Sequence, residues 1–412
     1  MDTSQERLQK DIEILARFNA TPGNGVTRFS YSAEDARARG YLREQMDAIG
    51  LHVSIDGVGN MRGRLAGTNP DLPVILIGSH IDTVRHGGRF DGVVGVVAGL
   101  EVARVLRENN LVLNHPVDLV VFAEEEGSNF GLATAGSKAL VGHIGVADIE
   151  RMRDASGTSA FRLMQSFGLA PGRVGDSPLR GRDVRAMLEL HIEQSYVLDR
   201  TNIPIGIVTG ISGIQGYRIT FHGESNHAGA TPMQGRRDPM TAAAGTIASI
   251  NPTVGKWGGP DTVATVGRIE CHPNVMNVIP ERVSFTVDIR DPRDSAMDAV
   301  SKAVLAMAEH QAAASGVGLE CELISGSRGV ELSGTIIGIL DEILRERGIA
   351  CRHMVSGAVH DAAIMATIAE TGMVFIPCRD GRSHCPDEHA NIEHIKRGTD
   401  ILIEAVVRID RA

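Results

Sequence analysis

The segment from Val74 to Leu106 reads VILIGSHIDTVRHGGRFDGVVGVVAGLEVARVL. It begins with an apolar run, passes through a polar loop rich in glycine, and continues as a long stretch of small and apolar residues. A second apolar run, VDLVVF, follows at 117–122. Short β-branched runs of this kind are typical of buried parallel strands, and the stretch between them indicates a helix. The order strand, helix, strand predicts an α/β domain.

The rest of the chain predicts a second, inserted domain. Residues 217–223 and 282–290 alternate polar and apolar side chains, as half-exposed strands do. Beyond about residue 330 the alternation of helix and strand returns. We therefore predict a discontinuous α/β domain, 1–209 plus 328–412, with a mostly parallel central sheet and helices on both faces. Residues 210–327 are predicted to form an inserted α+β domain.

The composition excludes several classes of protein. Of the 412 residues, 42% are hydrophobic and 22% are charged, which is ordinary for a soluble globular protein. The net charge of -10, with no basic block, argues against nucleic-acid binding. No apolar run approaches the roughly 18 residues that a membrane span requires, and the charged N-terminus lacks the apolar core of a signal peptide. Five cysteines without a CxxC motif indicate a reducing compartment, so we expect a cytoplasmic protein.

Side chains that can bind metal follow four of the predicted strands. They are His80 and Asp82, Glu124 to Glu126, His191 and Glu193, and His384. Ligands of open α/β sheets bind beyond the carboxyl ends of the strands, so these side chains are expected to meet at one site. Mixed histidine and carboxylate ligands suit zinc, manganese, cobalt or nickel. The spacing of His80 and Asp82 puts both on one side of the pleat, where the aspartate carboxylate can accept a hydrogen bond from the imidazole.

Each of these signals also has a plainer interpretation. A single histidine after a strand is usually a hydrogen-bonded loop residue, and a glutamate triplet is usually a solvated run of charge. His384 and Cys385 are adjacent and could be a nucleophilic pair, although only adjacency supports it. Glu124 to Glu126, however, directly follow an apolar run, where like charges are costly unless a cation offsets them. Taken together, the residues favour a metal site.

Five motifs carry a resemblance to a known family. They are GSHIDTV at 78–84 with GGRFDGVVGVVAGLE at 87–101, FAEEEGSNFG at 122–131, LELHIEQ at 188–194, NHAGATPM at 226–233 and SHCPDEH at 383–389. In content and order they resemble the M20-type metal-dependent amidases. More narrowly, they resemble the hydantoinase/carbamoylase branch, which includes N-carbamoyl-L-amino-acid hydrolases, allantoate amidohydrolases and β-ureidopropionases. His191 favours this branch, because the M20 peptidases place a carboxylate there.

The resemblance implies two divalent metal ions in each subunit, zinc or alternatively manganese, cobalt or nickel. The implied ligands are His80 and His191 on the first ion, Asp91 between the two, and Glu126 and His384 on the second. Glu125 falls at the position of the general base, and Asp82 at that of a partner of His80. Gly87, Gly88 and Gly92 would permit the tight backbone that brings Asp91 back to the metal.

For the inserted domain, the resemblance implies a lid or dimerisation role. His227 would stabilise the oxyanion in the active site of the partner subunit, so a homodimer is implied. Asn277 and Arg290 match positions that bind substrate, and Gln194 and His360 are further candidates. The alternative for Arg290 is a salt bridge with a neighbouring aspartate, and the alternative for His360 is a hydrogen-bonded loop histidine.

The predicted activity is hydrolysis of the carbamoyl C–N bond of an N-carbamoyl-L-amino acid or a related ureido acid. Allantoate and ureidopropionate remain open as substrates, and an aminoacylase, a carboxypeptidase or a non-catalytic metal-binding module are the alternatives. Two positions depart from the family pattern. Asn129 replaces an arginine, which puts substrate preference in doubt. Ser195 replaces a glycine, and because a serine can cap the following helix, we expect this change to have little effect.

Overall fold

The computed structural model describes residues 2–176 and 178–412. The contacts divide the chain into two compact units, Met1–Thr209 with Leu332–Ala412, and Gly210–Glu331. The sequence placed the second boundary after residue 327, whereas the structure places it after Glu331. The difference arises because Val330 and Glu331 form a short strand that pairs with Ile211 and Gly210 of the same unit.

Twelve α-helices and fifteen strands are formed by the described residues. The helices are α1 Gln5–Arg17, α2 Ala33–Ala48, α3 Val93–Glu108, α4 Ala135–Leu140, α5 Val146–Arg151, α6 Ala160–Ser166, α7 Val197–Thr201, α8 Pro239–Trp257, α9 Asp294–Ser315, α10 Gly334–Glu346, α11 Asp361–Met365 and α12 Ile392–Arg411. The strands are β1 His52–Ile55, β2 Met61–Leu65, β3 Val74–His80, β4 Val117–Phe122, β5 Val184–Ile192, β6 Ile205–Ile211, β7 Gly213–His222, β8 Asn226–His227, β9 Val263–His272, β10 Val278–Ile279, β11 Arg282–Asp291, β12 Gly318–Ser327, β13 Val330–Glu331, β14 Cys351–Ser356 and β15 Glu370–Ile376. Across the described ranges, no helix is long and apolar enough to cross a membrane.

A mixed, mostly parallel sheet forms the centre of the first unit. Its strands lie in the order β1-β2-β4-β3-β5-β15-β6, and β14 also pairs with β6. The four middle strands β4, β3, β5 and β15 are parallel to one another. The carboxyl ends of these four strands therefore meet at one edge. This arrangement confirms the predicted α/β architecture.

Both faces of this sheet are covered, which explains the continuous apolar runs of its strands. In β3, Ile75 and Ile77 pack into the core that includes α1, α3, α10 and α12. Val74 and Leu76 point the other way, into a smaller cluster that includes residues of α4 and α11. Each buried side chain of this size contributes about 1.5–3 kcal/mol. Helix α3 is buried along residues 93–106, because it lies between the sheet and the outer helices.

The second unit is an antiparallel sheet with two helices on one face. Its strand order is β12-β7-β11-β9. Phe221 and Phe285 point into a core formed with α8 and α9. Arg218, Thr220 and Glu322 lie on the opposite, open face. One solvated face and one packed face produce the period of two that the sequence shows.

Candidate active site

Predicted metal ligands lie at the edge of the first unit's sheet where the four parallel strands end. His80 is the last residue of β3, and His191 lies near the end of β5. Glu126 belongs to the loop after β4, and His384 belongs to the loop after β15. Asp91 comes from the loop between β3 and α3. Sheet topology therefore brings together side chains that are far apart in sequence.

Asp91 lies at the centre of this cluster. Its Oδ1 atom is 3.1 Å from His191 Nε2 and 3.9 Å from His80 Nε2. Its Oδ2 atom is 3.1 Å from His384 Nε2, which is 3.5 Å from Glu126 Oε1. All five predicted ligands thus fall into two groups of three that share Asp91, with the candidate ligand atoms of each group within 4.8 Å of one another.

Two glycines make the close approach of Asp91 possible. Gly92 has a φ of 66°, and a Cβ there would lie 2.4 Å from His80 Nε2. A Cβ on Gly88 would lie 1.9 Å from the carboxyl group of Glu388. Both distances are far below van der Waals contact, so any larger residue would displace the loop or the neighbouring side chain. The predicted tight backbone therefore has specific steric reasons.

The imidazoles of His80 and His191 are oriented for metal binding. Nδ1 of His80 is 3.0 Å from the backbone carbonyl oxygen of Asp82, and Nδ1 of His191 is 2.9 Å from that of Ile192. A carbonyl oxygen only accepts, so each Nδ1 carries a hydrogen. In both rings Nε2 is then the nitrogen that faces Asp91, and in the neutral form of the ring it is the nitrogen without a hydrogen. This donor set fits a divalent cation with mixed nitrogen and oxygen ligands.

Asp82 acts differently from the prediction. Its carboxylate is 3.6 Å from His80 Nδ1, beyond hydrogen-bond distance, and the main-chain carbonyl accepts instead. The carboxylate Oδ2 accepts from the backbone N–H of Glu126 at 3.1 Å. Asp82 thus fixes the His80 tautomer through its backbone and the start of the Glu126 loop through its side chain.

Several buried carboxyl groups lie close together at this site. Burial and the neighbouring Asp91 raise the pKa of Glu126 to about 8. Burial, followed by the charges of nearby carboxylates, raises the pKa of Glu125 well above its usual range. The hydrogen bond to Asp91 raises the pKa of His384 to about 9. Buried carboxyl groups this close together indicate a site that binds cations.

Glu125 borders the ligand cluster without belonging to either group of three. Its Oε2 atom is 3.6 Å from His80 Nε2, and the residue is 6% exposed. The adjacent Glu124 has a purely structural environment, because one of its carboxylate oxygens accepts from the backbone N–H groups of Asn129 and Phe130. The Asn129 side-chain amide in turn donates to the carbonyl oxygen of Ser30. The Asn129 side chain, which departs from the family pattern, therefore links the loop to the segment around Ser30.

Gln194 and His360, the further substrate-binding candidates, both contact predicted ligands. Gln194 Nε2 donates to Asp91 Oδ2 at 2.9 Å. The ring of His360 packs against that of His191 with centroids 4.5 Å apart. His360 is only 2% exposed, and its Nε2 lies 2.8 Å from Ser356 Oγ. The geometry of His360 thus matches the alternative interpretation, a hydrogen-bonded loop histidine.

Ser195 does not cap α7, although a serine at this position could do so. The helix begins after Tyr196 without any side-chain cap from that residue. Glu193 instead accepts from the backbone N–H groups of Val197 at 2.9 Å and Leu198 at 2.8 Å. A carboxylate that accepts from the first free N–H groups is a favourable helix terminus, so Glu193 has a structural function.

Within the second unit, His227 and Asn277 are held side by side. Strand β8 pairs with β10, and the N–H of Ala228 donates to the carbonyl oxygen of Asn277 at 2.9 Å. Nδ1 of His227 accepts from the N–H groups of Gly229 and Ala230, both at 3.1 Å. An Nδ1 that accepts two backbone hydrogens is unprotonated. The neutral imidazole therefore carries its hydrogen on Nε2, where it can donate.

Arg290 is engaged by a neighbour, as its alternative interpretation predicted. Its Nε and one terminal nitrogen donate to the two carboxylate oxygens of Asp288, at 2.9 and 3.0 Å. The guanidinium is about one-third exposed. A substrate carboxylate would therefore share or replace this partner.

Sequence reasoning missed two residues that touch the predicted ligands. Glu388 is 5% exposed and accepts from the backbone N–H groups of Phe90 and Asp91. Ser383 Oγ lies 3.0 Å from Asp91 Oδ2. Both residues flank His384 in the SHCPDEH motif, so the signal was the polar content of that motif around its histidine.

Comparison with known proteins finds relatives that match almost the whole chain and belong to the family that the motifs resemble. Residues 76–408 match Peptidase family M20/M25/M40. The N-carbamoyl-L-amino acid amidohydrolase of Geobacillus stearothermophilus is 40% identical over 97% of this chain and 97% of that protein. The allantoate amidohydrolase of Bacillus subtilis (strain 168) is 35% identical over 97% of this chain and 96% of that protein. An amidase of the hydantoinase/carbamoylase family from Burkholderia multivorans has a crystal structure that superimposes with a TM-score of 0.93, at 35% identity, covering 100% of this chain and 99% of the other.

The chain therefore belongs to the M20 family, which confirms the resemblance found in its motifs. Within that family it is a hydrolase of the carbamoylase and allantoate amidohydrolase type, acting on carbon–nitrogen bonds other than peptide bonds. Enzymes of this family depend on metal, and the ligand groups around Asp91 are the candidate metal site.

Proposed function

We propose that this enzyme hydrolyses the carbamoyl C–N bond of an N-carbamoyl-L-amino acid or a related ureido acid, with two divalent ions at Asp91. One water is consumed, and the products are the amino acid, ammonia and CO2. The observation that carries the proposal is the pair of ligand groups that share the Asp91 carboxylate. Two groups of three leave open positions for water and substrate, as a catalytic metal site requires.

Glu125 is the proposed general base. Two bound cations would polarise the carbamoyl group and lower the pKa of water held between them. Glu125, next to His80 and outside the ligand groups, takes the proton of the attacking water and passes it to the leaving nitrogen.

The second unit contains the proposed hydrogen-bond donor to the oxyanion and the proposed substrate-binding residues. His227 donates through Nε2–H to the oxygen of the tetrahedral intermediate, a role that the two backbone bonds to its Nδ1 support. We propose that it does so in the active site of the partner subunit of a homodimer. Asn277 and Arg290 bind the substrate carboxylate end, since the guanidinium fork matches a carboxylate.

The carbamoyl amino acids are the favoured substrates. The Geobacillus stearothermophilus relative, named for that activity, is more similar to this chain than the allantoate amidohydrolase of Bacillus subtilis (strain 168) is. The second candidate substrate class is therefore allantoate, with ureidopropionate as a third. An aminoacylase or carboxypeptidase activity is disfavoured, because His191 stands where those enzymes place a carboxylate.

Release of ammonia, measured together with release of the free amino acid, tests the proposal directly. The apo-enzyme is reconstituted separately with Zn²⁺, Mn²⁺, Co²⁺ and Ni²⁺ and offered N-carbamoyl-L-amino acids, allantoate, ureidopropionate and an N-acetylated amino acid. Turnover of a carbamoyl amino acid above the other substrates supports the proposal. Turnover only of allantoate or of the acetylated control would replace the substrate, and metal binding without any turnover would favour a binding module.

A further inference from the structure

Glu388 lies against the predicted metal site, and both oxygens of its carboxylate accept hydrogen bonds from protein groups. Oε1 accepts from the backbone N–H of Phe90 at 2.8 Å and from that of Asp91 at 3.1 Å. Oε2 accepts from Ser383 Oγ at 2.9 Å. Because each oxygen already has a donor, Glu388 is not placed as a metal ligand. Its contacts instead go to the backbone that carries one.

The contact with the Asp91 loop is close enough to constrain the sequence. A Cβ added to Gly88 would lie 1.9 Å from the Glu388 carboxyl group. Because the φ of Gly88 lies outside the left-handed region, a side chain there would collide with Glu388 without straining the backbone. The GGRFDG and SHCPDEH motifs are therefore in direct contact through Gly88 and Glu388.

The same carboxylate reaches the loop of the second metal group. Ser383 Oγ lies between Glu388 Oε2 and Asp91 Oδ2, at 2.9 and 3.0 Å. A hydroxyl has one hydrogen, so Ser383 can donate to only one of these carboxylates at a time. When Ser383 donates to Glu388, Asp91 Oδ2 keeps the amide of Gln194 as its donor, at 2.9 Å. Ser383 also directly precedes His384, so Glu388 joins the backbone of one ligand to the segment of another.

We propose that Glu388 is a positioning residue that holds Asp91 between the two metal ions and the His384 loop beside them. The inference rests on the proposed dinuclear site and adds a specific residue to it. Side chains that orient metal ligands typically contribute about 10- to 100-fold to metal affinity. Loss of Glu388 should therefore weaken binding of the metal pair while the fold remains.

The test uses full-length apo-enzyme titrated with Mn²⁺ alone, followed by calorimetry and by the exchange-coupled electron paramagnetic resonance signal of a Mn²⁺ pair. Glu388→Ala is expected to lower the affinity for the pair about 10- to 100-fold and to reduce the coupled signal. Glu388→Gln keeps an oxygen that accepts from both N–H groups, so it should restore most of the binding. Circular dichroism checks that each variant is folded.

Asp387→Ala is the matched control. Asp387 is the neighbouring carboxylate, is exposed, and pairs only at the surface with Arg382. Its loss removes the same charge and should leave Mn²⁺ affinity within about threefold of wild type, because exposed ion pairs contribute little. Gly88→Ala provides a second variant, which keeps the Glu388 carboxylate but displaces it. It should weaken binding of the two Mn²⁺ ions as Glu388→Ala does.

Wild-type affinity and an intact coupled signal in both Gly88→Ala and Glu388→Ala would overturn the positioning role and leave the dinuclear site standing. If Glu388→Ala does not fold, the Mn²⁺ affinities of Gly88→Ala and Glu388→Gln provide the test. Normal Mn²⁺ binding by Gly88→Ala then overturns the positioning role of Glu388. If wild type itself binds no Mn²⁺ pair, the dinuclear proposal fails and this inference fails with it.

Discussion

The two units hold their predicted functional side chains in opposite ways. At the sheet edge of the first unit, Asp91 is buried and its partners come from segments far apart in sequence. In the second unit, His227 is exposed, and its ring is held by the backbone of residues only two and three positions later. The first site depends on the whole fold, whereas the second depends on one short turn.

This difference sets what each substitution should change. Around Asp91, a lost side chain alters metal binding or stability as well as turnover, because neighbouring groups share partners. At His227, a lost imidazole removes one hydrogen-bond donor and little else. Measurements that separate metal content, stability and turnover therefore test the comparison directly.

The largest effect is expected from Glu125→Gln. The amide cannot accept a proton from water, so kcat should fall by about 10²–10⁴-fold. Metal content should stay at the wild-type level, because Glu125 lies outside both ligand groups. Turnover of the carbamoyl substrate and metal analysis of the same preparation check both parts. Near-normal turnover with full metal content would remove Glu125 from the base position.

His227→Ala should lower kcat by about 10²–10³-fold, the usual cost of one oxyanion donor. Melting temperature and metal content should not change, since His227 is exposed and its ring accepts hydrogen bonds from Gly229 and Ala230 of the same turn. Mixing this variant with Glu125→Gln tests the shared site. After random exchange between subunits of a homodimer, roughly a quarter of wild-type activity should return. Proven exchange with no activity would argue against a residue supplied by the partner.

Arg290→Lys should raise KM about 10- to 100-fold with little change in kcat, because a lysine loses the two parallel hydrogen bonds to a carboxylate. Asp288→Asn provides the contrast. It frees the guanidinium from its present partner and should leave KM unchanged or lower it. Steady-state kinetics of both variants distinguish a substrate contact from a structural ion pair. If both raise KM equally, the pair itself is the functional unit.

The smallest effect is expected at the start of α7. Glu193→Ala removes the carboxylate that accepts from Val197 and Leu198, and should lower the free energy of unfolding by about 1 kcal/mol. Ser195→Ala should change it by less than about 0.5 kcal/mol, because its side chain caps nothing. Urea denaturation measures both variants. A larger loss for Ser195→Ala than for Glu193→Ala would contradict the assignment of the cap.

Sequence reasoning found the residues that the sheet edge brings together, because strand periodicity and motif order predict which side chains follow parallel strands. It did not find how Asp82 acts, since the choice between its carbonyl and its carboxylate depends on where the Glu126 loop folds back. It also missed Glu388, whose partners lie almost 300 positions earlier in the chain. No local pattern encodes a contact of that span.

The same limit applies in the second unit. The motif around His227 identified the residue, and the mutual placement of His227 and Asn277 became visible only when β8 paired with β10. Arg290 was identified together with its competing partner, and the structure shows that Asp288 occupies the fork. Proximity in sequence was sufficient to predict that pair.

By itself, the sequence determined the α/β class and predicted the inserted unit and the candidate ligand residues, because periodicity, residue chemistry and motifs are properties of the chain itself. Only the tertiary structure decided which atoms face the site. The approach of His80, His191 and His384 to Asp91 and the contact of Glu388 with Gly88 depend on segments that meet after folding. Hydrogen-bond direction and steric fit are properties of those meetings, so they cannot be read from spacing along the chain.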